Sequence, residues 1–185
     1  TGFLGTPDLL PVLTATGHQD VAYRLVNQRS YPSWGYEIDK GATTIWERWN
    51  SIMPDGSFGD VGMNSFNHYA YGAVGNWMYR TIAGIQPDPA SPGYAHFRVA
   101  PQPGGGLTSA RASYESAYGT ITSAWSLRHG HLTLEVTVPV NTTATIEIPA
   151  DAAVREGGRP VAGAPGVRVV AGGDDVLRVE VGSGS

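Results

Sequence analysis

The stretch Asn64-Ser-Phe-Asn-His-Tyr-Ala-Tyr-Gly-Ala-Val-Gly-Asn-Trp-Met-Tyr79 decides the architecture. It opens on a good helix cap, and Phe66, Ala70, Ala73 and Trp77, together with Tyr69, Val74 and Met78, form one broad apolar face at helical spacing. From Met63 to Tyr79 there is no Asp, Glu, Lys or Arg, and the opposite side carries Gly72 and Gly75. A helix without a charged face is expected to be covered by protein all round. The residues before it offer little cover. Thr6 to Gly17 is expected to form a short or bent helix, with Thr6 as cap, Pro7 at its first position and Pro11 inside it. His18 to Asn27 forms an amphipathic one carrying Val21, Ala22, Leu25 and Val26. Two such helices cannot bury a third, so an inner helix of a multi-helix barrel implies partners outside these residues. The opening Thr1-Gly-Phe-Leu-Gly-Thr6 likewise reads like the middle of a longer chain.

Beyond Ile85 the texture changes, with the prolines of Gln86-Pro-Asp-Pro-Ala-Ser-Pro92 at the boundary. Ile121, Ser123, Trp125 and Leu127 alternate with small polar residues, as do Leu132, Leu134, Val136 and Val138 with Thr133, Glu135 and Thr137. His129-Gly130 between them suits a tight hairpin. Ile146 and Ile148, Val167 and Val169, and Leu177, Val179 and Val181 continue the pattern. The expected fold is therefore α+β in two parts. Residues 1–86 hold the last helices of an incomplete helical barrel, and residues 87–185 an antiparallel β-sandwich.

The 185 residues contain no cysteine, which excludes disulfides and thiolate metal sites and leaves the compartment open. A net charge of -4 with scattered charges gives no basic patch for nucleic acid and no polybasic surface for a membrane. No run of about 18 apolar residues exists to span a bilayer. A neutral or mildly polar ligand fits better.

Between Tyr31 and Asp60 the chain is irregular and keeps Tyr31, Trp34, Trp46 and Trp49. Long loops that retain large aromatics usually line something. Glu47 stands between Trp46 and Trp49, which offer flat apolar surfaces of the kind that stack on sugar rings. The plainer alternative is an ion pair with Arg48. His68 is expected in the first turn of the inner helix, as a ligand-facing or a core histidine. Asp8 and Asp20 suit helix starts, Asp55 a turn, Asp60 a turn or a ligand, and Glu37 and Asp39 an exposed strand edge. Glu115, Glu135, Glu147 and Glu180 read as solvated strand faces. Carboxylate, histidine and aromatic rings in a helical barrel point toward glycoside chemistry, which in most families needs two carboxyl groups. Only Glu47 is persuasive here.

The segments Thr1-Gly-Phe-Leu-Gly-Thr6, Tyr31-Pro-Ser-Trp-Gly-Tyr36, Gly41-Ala-Thr-Thr-Ile-Trp-Glu-Arg-Trp49 and Met63-Asn-Ser-Phe-Asn-His-Tyr-Ala-Tyr-Gly72 occur in an order that resembles the C-terminal part of bacterial α-L-rhamnosidases of glycoside hydrolase family 78. The resemblance implies the end of an (α/α)6 barrel followed by a β-sandwich, and an inverting hydrolase that releases terminal α-L-rhamnose from rhamnosides. It implies Glu47 as general base and His68 as a sugar contact, with Trp46 and Trp49 as pocket walls or packing. The general acid and other acidic sugar-binding residues lie upstream of Thr1 in such enzymes. The partners implied are thus a rhamnose-containing glycoside and the remainder of the barrel; no cofactor and no metal are implied, and the isolated chain is expected to be inactive. Two other readings give the sandwich the central part. It is either a carbohydrate-binding module using Trp125, Tyr114 or Tyr118, or a cap for the barrel.

Overall fold

Backbone groups already committed elsewhere decide where the helices of the first half start. The computed structural model describes residues 2–149, 153–173 and 176–185, and it divides into two units, Thr1–Trp77 with Gly104–Gly106, and Met78–Pro103 with Leu107–Ser185. In the first unit, α1 (Thr6–Ala15) and α2 (Gln19–Asn27) form the expected hairpin. Thr6 is the first residue of α1 rather than its cap, and its hydroxyl donates to the Gly2 carbonyl at 2.8 Å. Pro11 lies inside this ten-residue helix without ending it. Trp77 is buried against this hairpin, its indole N–H donating to Thr14 Oγ1 at 2.8 Å and its ring edge-on to Tyr23. Gly104 and Gly105 lie on the Tyr23 ring so closely that a Cβ at either would stand 2.5 Å from it. Asn27 donates to the Gly105 carbonyl at 3.1 Å.

Two further expectations fail in this unit. The inner helix does not begin at Asn64: a 3₁₀ turn, Ala70–Ala73, leads into α4 (Val74–Trp77). The residues before it are held instead by the 45–47 segment, since the His68 N–H donates to the Ile45 carbonyl at 2.9 Å. Nor is Glu37 at a strand edge. Ser33 Oγ accepts the Tyr36 N–H at 3.0 Å and caps α3 (Trp34–Asp39), which turns Tyr36 and Glu37 inward and leaves Asp39 outside, paired with Arg29.

The second unit opens with a π-helical turn, Met78–Ile82, and continues, among the described residues, as ten strands. These are β1 (Ile85–Pro87), β2 (His96–Val99), β3 (Ser109–Ser116), β4 (Gly119–Arg128), β5 (His131–Thr137), β6 (Thr143–Pro149), β7 (Arg155–Glu156), β8 (Arg159–Pro160), β9 (Val167–Gly173) and β10 (Val176–Val181). One sheet has the order β1-β2-β6-β10-β9, a second is the meander β3-β4-β5, and β7 and β8 form a small hairpin. Ile85, Phe97, Val99, Ala144, Ile146 and Val179 of the first sheet share one buried core with Ile121 of the second, which makes the unit a sandwich. It is antiparallel except where β2 meets β6. That pair is parallel, because the chain leaves the first sheet after β2, builds the meander, and re-enters in the same direction. His129 and Gly130 form the expected hairpin, both at positive φ, as a two-residue turn of this twist demands.

Charges on the larger sheet are more organised than the alternation suggests. Glu147 of β6 reaches Arg178 at 3.0 Å and Arg98 at 3.4 Å on its two neighbouring strands, and Glu180 pairs with Arg168. Trp125 offers no sugar platform: it is 3% exposed, and its indole N–H donates to the Ile82 carbonyl at 2.7 Å. Tyr114 packs on Tyr94 with ring centroids 4.6 Å apart. Ser123 Oγ, next in line on the same face, donates to the Ala83 carbonyl at 2.7 Å. Trp125→Phe leaves the Ile82 carbonyl without its donor, and a loss of ~1–3 kcal/mol is expected, read from the urea unfolding midpoint. An unchanged midpoint would show that the indole contributes only its ring.

Candidate functional site

Glu47 and His68 are brought together by a seam of backbone hydrogen bonds between two loops. The Glu47 N–H donates to the Ser65 carbonyl at 2.9 Å, and the His68 N–H to the Ile45 carbonyl at 2.9 Å. The Ser65 N–H completes the arrangement by donating to Glu47 Oε2, also at 2.9 Å. One residue thus holds both the main chain and the carboxylate of Glu47. The seam is extended by Thr44, whose hydroxyl donates to the Phe66 carbonyl, and by Asn64, whose amide donates to the Ser51 carbonyl at 3.1 Å.

The alternative of an ion pair between Glu47 and Arg48 is not found among the described residues. Arg48 turns the other way: its guanidinium lies 3.5 Å from the Met63 sulfur, and its Nε is buried without a partner. Glu47 itself is only partly exposed. A carboxylate held by one main-chain N–H keeps acceptor capacity on its other oxygen, which is what a group that must take a proton from water requires.

His68 lies just before the 3₁₀ turn, not inside a helix. Its Nδ1 accepts the Ala70 N–H at 3.3 Å, so the ring is locally capped, with Tyr69 stacked on one side at 5.0 Å and Phe3 tilted against it at 5.7 Å. Tyr69 is 87% exposed. The two tryptophans separate. Trp46 is 2% exposed and packs edge-on to Phe66, so it is core and not a pocket wall. Trp49 is partly exposed, lies flat on Tyr71 at 3.7 Å, and meets Trp34 edge-on at 5.1 Å.

Residues 1–82 match the model of the bacterial alpha-L-rhamnosidase 6 hairpin glycosidase domain, and residues 84–162 that of the bacterial alpha-L-rhamnosidase C-terminal domain. The chain belongs to the bacterial alpha-L-rhamnosidase family. An alpha-L-rhamnosidase of Streptomyces avermitilis is 62% identical over 151 residues, which are 82% of this chain and 14% of that relative. One of Formosa agariphila is 54% identical over the same length, 82% of this chain and 16% of its own. The crystal structure of Streptomyces avermitilis alpha-L-rhamnosidase complexed with L-rhamnose matches with a TM-score of 0.85 and 53% identity, over 100% of this chain and 17% of that one. The chain therefore spans between 14% and 17% of the length of these relatives.

Within this rhamnosidase segment the sequence reading passed over Glu37. The residue is 2% exposed, lies near the Trp46 N–H, and leaves Oε1 buried without a hydrogen-bond partner. Burial pushes its carboxyl up to about 7, partly offset by that N–H. The nearby Tyr71 hydroxyl is raised as well, first by its own burial and then by the Glu37 charge. Asp55 and Asp60, in contrast, are turn residues that accept the N–H groups of Ser57 and Gly62 at 2.9 Å. Among the described residues no group of three or more His, Asp or Glu side chains is placed to hold a metal ion. No helix is long and apolar enough to cross a membrane.

Proposed function

We propose that this rhamnosidase segment supplies the general base of an inverting glycoside hydrolase that releases terminal α-L-rhamnose from a rhamnoside. Glu47 is the base, and the observation that carries this reading is its carboxylate, fixed on one oxygen by Ser65 and lying on the same seam as His68. Inversion needs a water between the sugar and a carboxylate, with the proton donor ~6.5–9.5 Å away across the scissile bond. Glu47 accepts the proton of that water as it attacks the anomeric carbon. His68, steadied by Phe3, Tyr69 and the Ala70 N–H, donates or accepts a hydrogen bond at a sugar hydroxyl. Trp49, held flat by Tyr71, gives the sugar an apolar wall.

The proton donor and the rest of the pocket belong to the remainder of the helical barrel. The apolar surface of the first unit supports this division, since Leu4, Phe58, Val61 and Tyr69 are between 69% and 89% exposed. The rival reading of the sandwich as a sugar-binding module loses its best candidate with Trp125 in the core.

Proton NMR of the sugar first released from an aryl α-L-rhamnoside by the full-length gene product tests the mechanism. The β-anomer is expected first, mutarotating afterwards. First appearance of the α-anomer would mean retention and would remove the water-activating role from Glu47.

A further inference from the structure

Glu47 is held by Ser65, and Ser65 in turn is held through the residue before it. Asn64 donates its side-chain amide to the Ser51 carbonyl at 3.1 Å. Ser51 is fully buried and is tied to the residue after Glu47: its N–H and its hydroxyl donate to the Arg48 carbonyl at 3.1 and 3.0 Å. These contacts close a ring that runs from Glu47 through Arg48, Ser51, Asn64 and Ser65 back to Glu47 Oε2. The Ser51 carbonyl does not depend on Asn64 for a donor, because the Gly59 N–H already reaches it at 3.0 Å. That approach is close: a Cβ at Gly59 would stand 2.5 Å from the Asn50 carbonyl oxygen. Asn64 for its part leaves Oδ1 buried without a partner, which is costly. Satisfying the Ser51 carbonyl therefore does not account for the amide. What the amide adds is a tie between the turn that follows Glu47 and the peptide whose N–H holds the Glu47 carboxylate.

We propose that Asn64 is a positioning residue for the hydrolytic reaction, anchoring the 64–65 peptide so that the Ser65 N–H fixes one oxygen of Glu47 and leaves the other for the attacking water. The inference rests on the assignment of Glu47 as general base. A glutamate side chain is rich in rotamers, and a single N–H on one oxygen selects among them only if that N–H is itself fixed. The other bonds of the seam hold its two loops to each other. The Asn64 amide ties both to a residue with no exposed surface. Displacing a reacting group by about 1 Å costs on the order of 100-fold in rate.

The test is a double-mutant cycle in the full-length gene product: Asn64→Asp, Glu47→Gln and the two combined, read by steady-state kinetics on an aryl α-L-rhamnoside. An ionised aspartate keeps the shape of the side chain and has no proton to donate to the Ser51 carbonyl. Asn64→Asp alone is expected to lower kcat by roughly 10- to 100-fold with KM within about threefold. In the Glu47→Gln background no base remains to be positioned, and the same change is expected to lower the residual kcat by less than about threefold. If the Asp variant does not fold, Asn64→Leu has a similar shape, no charge and no donor, and carries the same expectations. An equal fold-loss in the two backgrounds overturns the positioning role, because a general loosening of the fold acts whether or not the base is present. Wild-type kcat in Glu47→Gln brings down the base assignment and this inference with it. A loss in Glu47→Gln with none in the Asn64 variant brings down the positioning role alone.

Discussion

Replacing Glu47 by glutamine in the full-length gene product is expected to lower kcat by ~10²–10⁴-fold, the range spanned by general acid–base catalysis. The amide matches the carboxylate in size, and its oxygen still accepts the Ser65 N–H, so the seam and the fold remain. What disappears is the capacity to accept the proton of the attacking water. KM is expected to change little, because an interaction made only in the transition state is lost. Azide, which attacks without needing a base, should restore turnover and yield a glycosyl azide of inverted configuration. A loss of less than about tenfold, or a loss that azide does not relieve, would place the base elsewhere.

The second large effect concerns stability. Burial holds the Glu37 carboxyl at about 7, against an ordinary 4.5. The folded chain thus binds this proton more tightly than the unfolded chain does. Stability is therefore undiminished below pH 4.5 and falls as pH rises through the window up to about 7. Above it, the cost of the buried charge is fully present. At about 1.4 kcal/mol per pH unit, the gap amounts to about 3 kcal/mol. Glu37→Gln removes the titration, so the variant is expected to gain about 3 kcal/mol on wild type between pH 4 and pH 8.5. Any pH-independent cost of burying the amide cancels in that difference. Urea midpoints of both proteins at the two pH values measure it, and parallel pH dependence in the two would show that Glu37 ionises as freely as a surface acid.

The sandwich was the legible part of the sequence, and the seam the illegible one, for a physical reason. Alternation along β4 and β5 is local, and Ile121, Ser123 and Trp125 are buried on the inner face as the period of two requires. The parallel pairing of β2 with β6 depends on the path of the chain between them, which no periodicity records. The seam is harder still. Nothing in the Asn64-Ser-Phe-Asn-His68 stretch announces that the Ser65 carbonyl and the His68 N–H are committed to residues near Glu47, and those bonds are what delay the helix until Ala70. Glu47 and His68 were found through ordered motifs, not through any local signal that joined them. Glu37 was missed because α3 is six residues long, too short for a helical period, and Tyr36-Glu-Ile38 mimics strand alternation. Ser33, three residues before Tyr36, was the available clue. Trp46 and Trp49 looked equivalent, and only the pairing of their loop separates the core ring from the partly exposed one.

The glycines at 104 and 105 bear on how segments of this kind are inherited. Although they follow the first strands of the sandwich in the chain, they belong to the helical unit, where they lid the Tyr23 ring with no room for a side chain. A recombination event that joined a foreign sandwich after residue 82 would deliver the helical hairpin without this lid. Unless the newcomer also carried two small residues at that place, the buried phenol would be left bare or struck by a Cβ. The helical unit is thus completed by residues encoded beyond the first strands of the sandwich, and a transferable cassette for it would have to run past Gly106.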